Sequence, residues 1–250
     1  MKKLIMLIAL LAAFAFPVTT FALVSIEGSV GAWGTMPSGD FSYKDGGVPT
    51  TDLDDTFGFD DEISPMVRLK VEVPVIPVMY FMYTPIKFEG DAETGFTFDG
   101  QDFDIGADTE LTLDQYDLAL YYGVPFLGLA SLGKVHINVG LNIRVIDVDA
   151  TMTQPGGTVE KNESVTIPVP MLYLAADVSP IDLLVFEAEV RAFPVNDYSA
   201  VSAIARVKVN TFGPLYVSGG YRYEAMNIDH DDFDFDIDLT GPFAEVGFDF

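Results

Sequence analysis

The chain has no cysteine, one tryptophan, two histidines, and 13 basic residues against 38 acidic ones. Each shortage excludes something. Without cysteine there is no disulfide framework, no thiolate nucleophile and no lipid-modified cysteine behind a leader. A net formal charge of −25 argues against nucleic acid as a partner, because phosphates repel such a surface. No zinc-binding, nucleotide-binding or nucleophile-elbow motif appears. Beyond the first 22 residues every hydrophobic run is cut by charge, glycine or proline. No such segment offers the roughly 20 apolar residues that a spanning helix requires. If the mature chain enters a bilayer it does so as a closed barrel, since lipid gives an open strand edge no partner.

What is present begins with Lys2 and Lys3, an apolar run of 13 residues from Leu4 to Phe16, and Thr20-Phe21-Ala22, which supplies the small residues a signal peptidase needs. Residues 1–22 read as a cleaved secretory signal peptide and 23–250 as one β-domain. Loss of Lys2 and Lys3 takes the net charge from −25 to −27.

From residue 24 the chain repeats stretches of alternating apolar and polar side chains, each near or above the ~9–11 residues a tilted strand needs to cross the hydrocarbon layer. Strands are expected at 24–34, 62–73, 78–88, 110–122, 134–148, 164–178, 183–193, 199–210, 214–228 and 240–250. That makes ten, or eight if the ambiguous 123–133 and 231–239 segments are read otherwise. No helix competes beyond a single turn in 124–132. The connections alternate: 35–61, 89–109, 149–163, 194–198 and 229–239 are the longer set, and Pro74–Pro77, Ser179–Asp182 and Thr211–Gly213 are tight. The fold class expected is all-β, a closed antiparallel up-and-down transmembrane β-barrel, with a soluble periplasmic barrel or sandwich as the alternative.

Every arginine falls on the polar face of its strand. Val67, Leu69 and Val71 oppose Arg68, Lys70 and Glu72; Leu184, Phe186 and Ala188 oppose Glu187, Glu189 and Arg191; Val207 and Val209 oppose Arg206 and Lys208; Tyr221 and Tyr223 oppose Arg222 and Glu224. With Glu27, Asp117, Arg144 and Glu245 these form an expected lumen network that is close to neutral and mutually paired, in which Glu187 and Glu189 reach Arg206 and Lys208, and these reach Glu224. A narrow ten-stranded lumen would then be filled, and a narrow channel with cation preference is the alternative. Trp33, Tyr80, Tyr83, Tyr121, Tyr122, Tyr173, Tyr198, Tyr216, Phe248 and Phe250 lie near strand ends, where interfacial girdles form.

Acidic residues crowd 35–61, 89–109 and 229–239. Asp232, Asp234, Asp236 and Asp238 share one face of an extended segment and are the expected site of any weak calcium or magnesium binding, although the spacing lacks the glycine and terminal glutamate of a calcium loop. No other cofactor is expected. His136 sits on a polar strand face with no adjacent serine, so no catalytic role is expected.

The last strand ends Ala244-Glu245-Val246-Gly247-Phe248-Asp249-Phe250. It resembles the closing strand of small Gram-negative outer-membrane β-barrels, eight- to ten-stranded, although Glu245 stands where many of them have glycine. The resemblance implies an outer-membrane location, lipid and lipopolysaccharide around the wall, and Val246, Phe248 and Phe250 as the signal read by the barrel-assembly machinery. The expected function is structural or surface-interacting and non-enzymatic. Within this strand the apolar residues are odd-numbered from Phe233 to Leu239 and even-numbered from Ala244. That change is expected to mark either a bulge at Gly241-Pro242 or an arm standing above the membrane.

Overall fold

The computed structural model describes residues 24–43, 51–52, 56–98, 101–125, 128, 131–157, 159–195, 198–229 and 233–250; the expected leader lies outside them. Ten long strands form the body: β1 (Ser25–Tyr43), β2 (Glu62–Glu72), β3 (Val78–Asp91), β4 (Asp108–Gly123), β5 (Val135–Thr153), β6 (Glu160–Ile181), β7 (Leu184–Val195), β8 (Tyr198–Asn210), β9 (Leu215–Asp229) and β10 (Phe233–Asp249). Each pairs antiparallel with the next, and β10 returns to β1 from Glu27↔Asp249 to Tyr43↔Phe233. Reciprocal bonds of 3.0 Å between the backbones of Ile26 and Phe250 finish the seam. The sheet is therefore a closed barrel with no free edge along its membrane half.

The tight turns fall where expected, but the strands overrun their expected upper ends. Much of 149–163 and 229–239 continues the ladder, with Thr153 still opposite Glu160 and Asp229 opposite Asp234. The sheet can rise past the membrane because its two faces exchange chemistry. In β10 the odd residues Ile237, Leu239, Phe243 and Glu245 are all buried inside, while Asp236, Pro242, Ala244 and Val246 are exposed outside. The register against β1 and β9 keeps one offset throughout, so the bulge expected at Gly241-Pro242 is absent. Side-chain direction never flips. What flips is the surroundings: below, outward residues meet lipid and inward ones are charged, whereas above, outward residues meet water and inward ones pack together.

That upper interior is an apolar core. Ile86 and Phe88 of β3, Leu111 and Leu113 of β4, Ile146 of β5, and Ile237 and Leu239 of β10 are all buried in it. The segment 56–59 adds Phe57 and Phe59, whose rings lie 5.7 Å apart, with Phe59 5.9 Å from Phe88. A small hairpin of Phe96–Phe98 and Gln101–Phe103 adds Phe96, 5.1 Å from Phe57.

Two ladders stop early, both flanked by proline. β2 and β3 pair only from Val71↔Met79 to Val67↔Tyr83, although β2 continues against β1 and β3 against β4. Pro65 and Pro85 stand just above the stop. β6 and β7 stop at Leu172↔Ala192, just below Pro168, Pro170 and Pro194. Proline has no N–H to give a neighbouring strand, so it sits at strand edges. The upper parts of β3, β4, β5 and β6 thus form a tall wall. Its β3 edge is covered by the chain itself: Glu93 N donates to Thr56 O at 3.0 Å, and the Thr109 hydroxyl lies within donating distance of both Phe57 O and Gly90 O, at 2.7 and 2.8 Å.

Aromatic placement departs from expectation. Tyr83, Tyr122, Phe248 and Phe250 do face outward. Trp33, Tyr80, Tyr121, Tyr173 and Tyr216 are buried inside the barrel, because each shares the parity of its strand's inward residues. The side chain of Tyr198 lies outside the described residues.

Gly241 has φ of 152°, and a Cβ there would stand 1.7 Å from Gly34 O. Gly241→Ala should therefore lose at least the ~1–3 kcal/mol of such backbone strain, read as a lowered urea midpoint for loss of heat-modifiable gel mobility. Trp33, the sole tryptophan, is inside. Its fluorescence should resist quenching by brominated acyl chains, whereas Leu141→Trp in a Trp33→Phe background should be quenched strongly. The reverse ranking would overturn the assignment of faces.

Candidate functional site: the charged lumen

Alternation on β1, β2, β4, β5, β7, β8, β9 and β10 sends one charged side chain after another into the same narrow space. Seven bases (Arg68, Lys70, Arg144, Arg191, Arg206, Lys208, Arg222) meet seven acids (Glu27, Asp117, Glu187, Glu189, Glu224, Glu245, Asp249). The set is neutral. An isolated ion in such a place costs several kcal/mol, so a buried charge persists only when it is paired and hydrogen-bonded.

The fully buried centre is built on Glu224. It accepts from Arg222 Nη2 at 2.6 Å, Gln115 Nε2 at 2.8 Å and Ser202 Oγ at 2.9 Å, and lies 2.9 Å from Arg144 Nη1. Arg144 also grips Asp117, Nε to Oδ1 at 3.0 Å and Nη2 to Oδ2 at 2.9 Å, a two-pronged geometry that a planar guanidinium allows and an ammonium does not. Arg222 completes its donors on Thr84 Oγ1 and Gln115 Oε1, both at 2.8 Å, and lies 4.3 Å above the Trp33 ring. Arg191 reaches Glu189 at 3.0 Å and stacks against Tyr80 and Tyr173 at 5.2 and 5.5 Å. These contacts explain the inward aromatics, since a ring face attracts a cation that few waters can reach.

Arg68 joins this centre to the periplasmic side. Its Nε lies 2.7 Å from Glu245 and its Nη1 donates to Tyr80 Oη at 3.1 Å. Arg206 then contacts Glu187, Glu27 at 3.0 Å and Glu245 at 3.2 Å. Lys208 sits 2.7 Å from Asp249 and 3.5 Å from Glu27, and Lys70 lies 3.7 Å from Glu27. Tyr216 Oη donates to Glu27 at 2.9 Å.

Most of the residues named from sequence meet here, with three differences. Glu72, expected among them, is exposed at the lower end of β2, because it is the last residue of its strand, where the interior opens to solvent. Asp249 takes part instead, a residue whose parity matches Glu245 and which was legible on that ground. Glu189 pairs with Arg191 and Arg68 rather than with Arg206 or Lys208, and Lys208 does not reach Glu224. At the periplasmic mouth His136 Nδ1 lies 2.7 Å from Asp177 Oδ2, about half exposed.

The other candidates lie apart. Asp236 and Asp238 are on the outward face of β10, where Tyr223 Oη donates to Asp238 at 3.3 Å. Asp232 and the side chain of Asp234 are outside the described residues. Among the described residues no group of three or more His, Cys, Asp or Glu is gathered so as to hold a metal ion. Val246 and Phe250 are exposed on the outer wall, and the rings of Phe248 and Phe250 are 5.4 Å apart.

No protein-family model matches the chain, and no curated protein matches it in sequence. Solved structures do resemble it. The outer-membrane protease OmpT of Escherichia coli is 9% identical, with a TM-score of 0.52, over 92% of this chain and 98% of that one. The translocator domain of the autotransporter NalP of Neisseria meningitidis is 13% identical, with a TM-score of 0.42, over 99% and 95%. Ail, the attachment invasion locus protein of Yersinia pestis, is 10% identical, with a TM-score of 0.39, over 91% and 99%. The first likeness concerns fold. A closed barrel of this fold, walled by exposed Leu141, Leu172, Leu174 and Val246, is a transmembrane barrel of the Gram-negative outer membrane.

Removing one member of a buried pair leaves the other uncompensated, at a cost of about 3–5 kcal/mol. Glu224→Gln should show that loss in urea unfolding followed by Trp33 fluorescence, whereas Glu72→Gln should change the midpoint little. Equal effects would mean that the Glu224 contacts carry no stability.

Proposed function

We propose that this protein is a closed, non-enzymatic outer-membrane barrel that works through the surface it presents outside the cell. The observation that carries this reading is the double obstruction of its interior: a neutral, mutually paired charge network in the membrane half and an apolar core above it. An ion pathway more often keeps one sign of charge in excess and a continuous wet surface. Here the charges are spent on one another, and the upper interior offers hydrocarbon. Six further acids stand on the outward face of the tall wall: Asp108, Glu110 and Asp114 of β4, Asp147 and Asp149 of β5, and Glu160 of β6.

On this reading the lower wall is held by lipid, lipopolysaccharide surrounds the outer half, and Val246, Phe248 and Phe250 serve as the signal to the assembly machinery. The acidic wall draws cations or cationic groups by long-range attraction. Purified barrel in a planar bilayer should give no stable openings above the leak of bare lipid. Steady conductance of about a nanosiemens would sink the closed-barrel reading and favour the narrow cation-preferring channel, since an open water-filled pore requires that the paired charges be parted.

A further inference from the structure

The tall wall has two edges, and the chain treats them differently. The β3 edge is covered by the strap at 56–59. The β6 edge is not paired with any strand among the described residues above Leu172. β7 runs three residues beyond Ala192, to Val195, and turns into β8, whereas β6 extends twelve residues beyond Leu172, to Glu160. The upper part of β6 therefore rises past the end of its neighbour. From Asn162 to Thr166 it is exposed on both faces, although β5 pairs with it all the way up.

The direction of its unused hydrogen bonds can be worked out. The β5–β6 ladder runs unbroken through Pro168 and Pro170, opposite Val145 and Ile143. Neither proline has an N–H to give that ladder, and in an antiparallel strand alternate residues turn their amides to the same side. Asn162, Ser164 and Thr166 share the parity of the prolines and so turn their N–H groups to the uncovered edge. The prolines end the edge at its foot, and three consecutive like-facing amides remain above them.

We infer that the β6 edge between Glu160 and Ile167 is a docking edge for an extended peptide that alternates basic and apolar residues, taken up by strand addition. This deepens the reading of the extracellular surface as the working one and rests on it. An added strand would lie above the β7–β8 hairpin and continue the wall. Its inward side chains would lie over Val165, Ile167 and Phe193 in the lower part of the edge, of which Val165 is 46% exposed and the other two are half-buried against the core, and would reach Lys161 and Glu163 above them. Its outward side chains would continue the face that carries Asp147, Asp149 and Glu160, so charge complementarity calls for lysine or arginine there. Uncovered edges are ordinarily blunted by charge and proline. Here the prolines guard only the foot; Asn162, Ser164 and Thr166, whose amides face the edge, are uncharged, and the charges interleaved with them, on Lys161 and Glu163, are of opposite sign.

The test uses the full-length barrel in detergent micelles and a short synthetic peptide of alternating lysine and valine. The expected result is saturable binding, with hydrogen-exchange protection of the Asn162, Ser164 and Thr166 amides appearing only when the peptide is added. Affinity should fall about tenfold for the same peptide N-methylated along one edge, the loss expected of one or two backbone bonds. Ser164→Pro, checked for heat-modifiable mobility, should lose as much. The peptide arm keeps the test decisive if that variant does not fold. The inference is overturned by no binding, by binding that ignores N-methylation and vanishes with salt, or by amides already protected in the protein alone. Each of those results leaves the closed barrel standing, and conductance would sink the closed barrel without touching the edge.

Discussion

Charge neutrality inside the ring is the constraint on which the rest depends. A small barrel in lipid has an outer wall that must be apolar, so its alternating strands turn every other residue inward, and those residues have no water in quantity to solvate them. This chain answers with cations and carboxylates in equal number, arginine at the buried centre where planar, two-pronged contacts are made, and lysine toward the periplasmic mouth, beside Glu27 and Asp249. The aromatics follow from the arginines: Trp33 supplies a ring face to Arg222, whose edge is bonded to Glu224 and Gln115, and Tyr80 and Tyr173 supply ring faces to Arg191, which gives only its Nη2 to Glu189. A stripped-down network would not simply be weaker, since each ion left behind would be stranded in a place that cannot solvate it.

The same strands meet a second regime above the membrane without changing direction or register. Outside the hydrocarbon the outward face is free to carry aspartate, and the inward face, no longer obliged to offset a charge, is free to collapse on leucine, isoleucine and phenylalanine. The barrel is inside-out below and right-side-out above. That accounts for a composition that is at once strongly acidic and 49% hydrophobic.

Much of this was legible in the chain before its structure. The strands and the shared polar face of all five arginines came from alternation, because a period of two is imposed by the backbone and survives any packing; that this face points inward came from the leader, the closing Phe250 and the alternating loop lengths. The aromatics were misplaced where position along a strand was used in place of parity. Tyr216 shares the parity of Arg222 and Glu224, and that clue was available. Of the two readings of the apparent flip at Gly241-Pro242, the bulge failed for a different reason: hydropathy reports which face is apolar, and it takes a change of solvent for a change of direction. The early stops at Pro65 and Pro85 and at Pro168 and Pro170 were out of reach, since a proline's missing bond names no neighbour until the ladder on its other side is known. Sequence also showed that the charges were balanced but not who paired with whom, as the choice of Asp249 over Glu72 depends on where the lumen opens.

The seam between the first and last strands gathers two demands in one place. Trp33 donates to Gly241 O at 3.2 Å across 208 residues of chain, and there Gly34 O comes too close to Gly241 for residue 241 to carry a side chain. Every other ladder joins neighbours in sequence and can form as a local hairpin. This one closes the longest loop the fold contains and does so through a close approach that only a glycine at 241 permits, so the costliest contact to bring together is also the one least tolerant of a side chain.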